Sequence, residues 1–376
     1  MFLAITIAIF FTTSFDYQTK RFFLTVSTFL RTLLVFILPF LIISSIASAL
    51  GNIPKGTKLF LITLFGCICL SNFINIILGC LIGTIVVSTQ TNYQMSQLSN
   101  NLSPFWVLNL QPLISNDLAL ISGFVIGFIL NIYNFQIVKS TIITINKYCM
   151  IFLNEFFVPL IPVFIFGYVV KLIDEKLFNT LLEQNLEVMI KMIGFTISYL
   201  VLHVFLISRF NFKKVIEIFK SLVSPMVTAF STMSSAAALP FTLIAVNKNI
   251  HDKDYANFIC PTTVNIHMVG DTICIPIIAI LLMNFYGFPI SNDQFLLFAI
   301  YFTLTKFSGA GVPGGTILVM LPVLEKTLGF TPEMCSLITS IYIVIDCITS
   351  SVNVAGNNIF ALYIYPIYKK LIKSTI

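Results

Sequence analysis

The chain has 376 residues, 57% of them hydrophobic and only 10% charged, with a formal net charge of +6. Soluble domains carry about 25% charged residues, so this composition is that of an integral membrane protein and excludes a soluble enzyme. The basic residues are scattered rather than clustered, so they read as topology signals and nucleic acid is not an expected partner.

A crossing helix needs roughly 20 apolar residues. The apolar run at 2–15 has neither a basic flank nor a small-residue cleavage site, and reads as a short or truncated first helix rather than a leader. Longer runs follow near 22–50, 57–89, 117–135, 148–172, 188–208, 256–289, 296–322 and 335–366. Several exceed one straight crossing, which predicts tilted or broken helices. The polar stretch "STQTNYQMSQLSNNLS" at 88–103 predicts an extracytoplasmic loop. Basic sets at Lys55/Lys58, Lys139/Lys147, Arg209/Lys213/Lys214/Lys220, Lys248/Lys253 and Lys369/Lys370/Lys373 place those loops and the C-terminus in the cytoplasm of a multi-pass protein of the cell (inner) membrane. The eight cysteines lie in or beside apolar runs without metal-type spacing, and read as small buried hydrophobes.

The second half of the chain differs from the plain Phe-, Ile- and Leu-rich first half. A segment with a small-residue, proline-containing tip occurs twice, "SSAAALP" at 234–240 and "SGAGVPGGT" at 308–316. Each precedes a helix with a polar centre, "TTVNIHMVGDT" at 262–272 and "DCITSSVNVAGNN" at 346–358. Broken backbone survives in a bilayer only where protein or a watery cavity satisfies it, and secondary transporters use such breaks at a repeat interface to bind substrate. Small residues let the backbone approach a ligand, while serines and freed amides hold it.

These segments resemble the dicarboxylate/amino acid:cation symporter family, the glutamate transporter homologues. "SSAAALP" is similar to its serine-rich hairpin motif, "GAGVPGG" to its T-A-G-V-P-G-A hairpin, and Asp346, Ser350, Asn353, Val354 and Gly356 to D-x-x-R-T-x-x-N-V-x-G-D. Upstream, "FLRTLLVFILPFLIISSIASALGNI" resembles the family's second helix. The resemblance implies an all-α membrane protein of about eight transmembrane helices plus two re-entrant hairpins, an elevator-type transporter with inverted repeats, usually a homotrimer. Scaffold helices 1–2 would lie in 1–50, transport-domain helix 3 in 56–90, and scaffold helices 4–5 in 105–172. The transport core would occupy 187–376, with hairpin 1 at 212–245, helix 7 at 256–289, hairpin 2 at 293–326 and helix 8 at 335–366.

The resemblance also implies site residues. Asp346 matches the aspartate that takes a substrate amino group, and Ser350 and Asn353 match groups near the α-carboxylate. Ser234, Ser235, Gly311, Val312, Pro313 and Gly314 match the hairpin tips that close over the substrate. The departures change the chemistry. Thr349 replaces the arginine that grips acidic side chains, and Met233 stands at the hairpin-arginine position of some members. An ungapped match of the helix 7 motif N-M-D-G-T puts His267 to Asp271 against it. Val269 then replaces an ion-binding aspartate, and Asp271 stands where a substrate-facing threonine is expected. Asn357 replaces another sodium-ligating aspartate, and Lys306 falls where backbone oxygens of the family hold sodium.

Thr263, His267, Lys306, Asn353 and Asn357 are therefore the candidate ion-coupling positions, with sodium or a proton as the coupling ion and no other cofactor. Lys306 reads either as a tethered substitute cation or as a lysine snorkelling to the interface. His267 reads either as an ordinary buried histidine or as a proton carrier beside Asp271. A small amino-acid-type substrate, neutral or cationic rather than acidic, fits the lost arginine and the gained Asp271. A non-amino-acid metabolite and the wider family's dicarboxylates stay open. An intramembrane aspartyl protease is a weaker reading, since Met268 takes the place of the first glycine of its G-x-G-D signature and Ile345 that of the tyrosine before Asp346. A channel, or a receptor that binds without transport, would also use polar intramembrane groups.

Overall fold

In the computed structural model the described residues are 12, 15–51, 58–88, 102–110, 112–133, 135–174, 177–289, 291–308 and 314–372. Most of 2–15 and of 88–103, and the tip residues Gly311, Val312 and Pro313, lie outside them. The ordered elements among the described residues are helical: α1 (Tyr17–Gly51), α2 (Lys58–Ser88), α3 (Asn116–Tyr133), α4 (Gln136–Ile151), α5 (Val158–Asp174), α6 (Leu177–Ile207), α7 (Phe212–Thr232), α8 (Leu239–Ile250), α9 (Lys253–Thr263), α10 (Val269–Phe285), α11 (Asn292–Thr305), α12 (Gly315–Leu328) and α13 (Pro332–Ile372). Five of them are long and apolar enough to cross a membrane, six if α4 and α5, bent by 60° at the break between them, are counted as one span. That bend follows a six-residue π-helical turn, Phe152–Phe157, where Pro159 and Pro162 remove donors from the helical ladder.

Two long apolar runs are broken, one around the predicted tip and one, at 256–289, inside what the sequence reads as a single polar-centred helix. The run at 256–289 divides into α9 and α10, and the run at 296–322 divides into α11 and α12. α7 ends at Met233, which takes a left-handed conformation (φ 50°), and Pro240 sits in the first turn of α8, where its missing N–H costs nothing. At the tip between them the Ser234 hydroxyl accepts from the Ala237 N–H at 3.2 Å. α11 opens on a capping box in which Ser291 and Gln294 exchange hydrogen bonds at 3.2 Å. It passes into a 3-10 turn, Lys306–Ser308, and the chain re-enters through Gly314 at φ 68°.

α13 is the central post of the second half. The α7–α8 hairpin lies against it through Ala229, Ala238 and Val354, and the Ser351 hydroxyl donates to the Met226 carbonyl at 2.6 Å. α10, buried at sixteen of its positions, runs between α13 and α2. The approach of α10 to α13 depends on two glycines without side chains. A Cβ on Gly270 would lie 2.5 Å from the Thr349 carbonyl oxygen, and one on Gly356 would lie 2.5 Å from the Val269 side chain. On α2, Gly79 and Gly83 admit α10 in the same way. α1 packs on α3 and α5 and reaches the second half through the Arg31–Glu325 ion pair, while Lys171 of α5 reaches Glu333 of α13 at 3.2 Å.

Gly270→Ala is expected to lower the thermal unfolding midpoint, at a cost of about 1–3 kcal/mol, because backbone rather than a flexible side chain must move. Gly66→Ala, where a Cβ meets nothing within 4 Å, should leave the midpoint unchanged or raise it slightly.

Candidate functional site

Two carboxylates meet at the helix breaks, and they are satisfied in opposite ways. Asp271 sits in the first turn of α10, where the helix dipole favours a negative charge, and it is 0% exposed. Its backbone N–H, left unpaired by the start of the helix, donates to Asn353 Oδ1 of α13 at 3.2 Å. Its Oδ1 accepts from Tyr342 Oη and Asn353 Nδ2, both at 2.8 Å. Its Oδ2 accepts from Thr316 Oγ1 and Lys306 Nζ, both at 2.7 Å. The Lys306 ammonium is also 0% exposed, and its remaining acceptors are Thr316 Oγ1 and Met268 Sδ, each at 3.0 Å. Both arms of the α11–α12 hairpin, the break before α10 and two turns of α13 thus converge on one ion pair.

Asp346 has no such partner. It lies on α13 at 3% exposure, and its Oδ2 accepts from the Gly314 N–H of the second tip at 2.7 Å. Oδ1 accepts from Ser350 Oγ at 3.1 Å and lies 3.4 Å from Thr349 Oγ1. These donors are neutral, and among the described residues no ammonium or guanidinium hydrogen-bonds to it. The chain's three arginines are elsewhere: Arg21 binds backbone carbonyls of Ser103 and Pro104, Arg31 pairs with Glu325, and Arg209 lies in the turn after α6.

The predicted site residues fall into three groups. Asp346, Thr349, Ser350 and Gly314 come together, with Ser234 and Ser235 on the first tip; Ser235 is buried and Ser234 caps its own turn. Asp271, Lys306 and Asn353 form the second group, a buried ion pair and the amide that brackets its carboxylate. Lys306 does not snorkel, because its stem points inward and its ammonium is fully enclosed. Asp271 and Asn353 are not open groups facing a substrate, because both ends of the Asn353 amide are spent on Asp271 and both Asp271 oxygens are filled.

The third group lies apart from both carboxylates. His267 makes no hydrogen bond to Asp271; its Nε2 is 2.9 Å from Ser71 Oγ, its ring stacks on Phe360 at 4.1 Å, and its Nδ1 has no partner among the described residues. It lines a cavity of about 60 Å³ with Ser71, Tyr199, His203, Val269 and Tyr363. The Thr263 hydroxyl bonds back to the Ile259 carbonyl of its own helix, and Asn357 is buried with Oδ1 unpartnered among the described residues. Tyr342, Thr316 and Met268 were missed as site residues in the sequence. Met268 lay inside a recognised motif, but Tyr342 and Thr316 carried no local signal.

The fold and site together define a multi-pass helical membrane protein with broken helices in its second half and a buried carboxylate, Asp346, at the start of one of them. The chain belongs to the Sodium:dicarboxylate symporter family, which matches residues 1–366. Over 148 residues it is 30% identical to the Proton/sodium-glutamate symport protein of Bacillus caldotenax, covering 39% of this chain and 35% of that one. It is 27% identical over 172 residues to Excitatory amino acid transporter 2 of Homo sapiens, covering 46% and 29%. It is 29% identical over 153 residues to Neutral amino acid transporter A of Bos taurus, covering 40% and 29%. The matched segment spans about a third of the length of each of these relatives.

Tyr342→Phe should cost about 1–3 kcal/mol in chemical denaturation, since it removes a donor from a buried carboxylate. Ser340→Ala, whose hydroxyl serves only the Ser336 carbonyl of its own helix, should cost far less.

Proposed function

We propose that the protein carries a small zwitterionic, amino-acid-type solute across the membrane, with Asp346 seating its amino group. One observation carries this reading: a buried carboxylate held only by neutral donors, beside a second carboxylate that is fully neutralised. Burying an ionised carboxylate without a cation is costly, so an arriving ammonium gains more at Asp346 than anywhere else in the core. Membership of a symporter family, and relatives named as glutamate and neutral amino acid transporters, support the same reading. The Gly314 N–H and the Ser350 hydroxyl, both donating to Asp346, would orient its carboxylate toward the amino group.

The open charge also limits the substrate. With Asp271 taken by Lys306, one uncompensated carboxylate remains, which matches one ammonium. A second positive charge on the side chain would find no partner. No arginine is present to receive a second carboxylate. The class that fits is a neutral amino acid, which narrows the expectation of a neutral or cationic one. The second half, from α6 onward with α2, would act as the moving unit, and α1 with α3–α5 as the scaffold. The Arg31–Glu325 and Lys171–Glu333 pairs would then be contacts that movement must exchange.

Asp346→Asn should abolish saturable uptake of a neutral amino acid into proteoliposomes while the purified protein unfolds as cooperatively as the wild type. Undiminished uptake by that variant would remove the proposed amino-group seat. In competition, neutral amino acids should rank above lysine and arginine, and those above glutamate and aspartate. Tight glutamate binding would reverse the substrate assignment.

A further inference from the structure

Lys306 sits where a chain crossing a membrane has least reason to place a lysine. An ammonium carries three N–H groups, and here three acceptors surround it: a carboxylate oxygen at 2.7 Å, a hydroxyl oxygen at 3.0 Å and a thioether sulfur at 3.0 Å. The acceptors come from separate segments. Thr316 belongs to α12, Met268 to the break before α10 and Asp271 to α10, while the lysine itself ends α11. Thr316 Oγ1 lies within 3.6 Å of Met268 Sδ and 2.7 Å from Asp271 Oδ2, so the acceptors also touch one another around the ammonium. A hydroxyl, a thioether and a carboxylate gathered round one point form the lining of a small cation site, and the chain fills it itself.

We propose that Lys306 is a built-in cation: its ammonium takes the place of a free monovalent cation between the α11–α12 hairpin and the α9–α10 break. The hairpin therefore closes at this point without taking up an ion from solution. The site belongs to the class that would accept a compact monovalent cation, alkali or alkylammonium, once the lysine head is removed. Truncation leaves the Asp271 carboxylate buried and unpaired, with Tyr342, Asn353 and Thr316 still aimed at it. A cation of the right size then restores the lost charge by mass action. The proposal rests on the transport reading for none of its binding measurements.

The test is thermal unfolding of the purified full chain titrated with ethylammonium, sodium and potassium chlorides, with choline chloride as the ionic-strength control. All variants carry Asp346→Asn, so that the open carboxylate cannot seat an added ammonium; with Lys306 intact, that background should follow choline for all three salts. Lys306→Ala should unfold at a lower temperature and recover saturably with ethylammonium or sodium, but not with choline. A folded Lys306→Ala that ignores every cation would overturn the proposal. So would a midpoint of that background, with Lys306 intact, that rises saturably with sodium and loses that rise in Asp271→Asn. If Lys306→Ala purifies only in ethylammonium, that dependence supports the proposal; failure in the amine as well overturns it. The double variant Asp271→Asn with Lys306→Met has no charge to compensate and should fold without cation response, since a neutral pair can replace a buried ion pair at little cost. A double variant that is stabilised by sodium or ethylammonium as strongly as Lys306→Ala would also overturn it. Should these results hold while the wild type moves no solute in proteoliposomes, the transport reading fails and the built-in cation stands.

Discussion

The Asp271–Lys306 ion pair is the constraint around which the second half of the chain is arranged. Neither group is exposed, so neither can be left without the other: breaking a buried pair costs far more than the pair contributes in net stability. The cost is contained by completeness. Every lone-pair direction of the carboxylate and every proton of the ammonium is used, by Tyr342, Asn353, Thr316 and Met268. Because those partners come from α13, α12 and the break before α10, satisfying the pair also fixes the relative positions of α10, α12 and α13. The α11–α12 hairpin cannot lift away intact unless Lys306 and Thr316 leave Asp271 together.

The same economy governs the broken backbone. A helix that stops inside a membrane leaves N–H groups with no water to receive them. Here polar side chains from α13 receive two of them: Asn353 takes the Asp271 N–H at the start of α10, and Asp346 takes the Gly314 N–H at the start of α12. One long unbroken helix thus caps two interrupted ones. This explains why α13 has a polar centre and still remains a helix. Its side chains point outward to the ends of its neighbours, while its own carbonyls stay in their ladder. The glycines at 270 and 356 bring the backbones close enough for such short side chains to reach.

The breaks themselves were legible in the sequence, because proline, glycine and serine at 234–240 and 308–316 interrupt apolar runs that are too long for one crossing. Asp346 was marked in the sequence too, since a carboxylate in an apolar helix is costly, and the structure buries it among neutral donors. The pairing of Asp271 with Lys306 was not. Thirty-five residues separate them, and whether they meet depends on the angle at which the 264–268 break turns α10 toward the hairpin. An ungapped match placed Asp271 among the substrate groups, and only the enclosed ammonium shows it facing elsewhere. Tyr342 and Thr316 look like ordinary members of apolar helices, and their role comes from where α13 and α12 cross. His267 was read beside Asp271 because four residues separate them, yet the non-helical 264–268 stretch turns its ring toward Ser71 and Phe360.

Charge in the core follows a consistent rule once these placements are known. Where a carboxylate is added, at Asp271, a cation is added with it. At Val269 and Asn357, where the wider family resemblance implies carboxylates, neutral groups stand and no cation accompanies them. Val269 is instead packed on Gly356 beside the small His267 cavity, so apolar contact occupies part of that space. Both changes have the same consequence, because each removes a place where a free cation would be needed to balance a buried charge. Among the described residues around these breaks one carboxylate, Asp346, is left without a counter-charge, hydrogen-bonded to the Gly314 N–H. Electrostatics then concentrates the core's remaining attraction for positive charge at one point, beside the Gly314 N–H at the start of α12. On this physical ground a neutral zwitterion, which brings one ammonium to one carboxylate, is the cargo that the proposed transport reading assigns to the core.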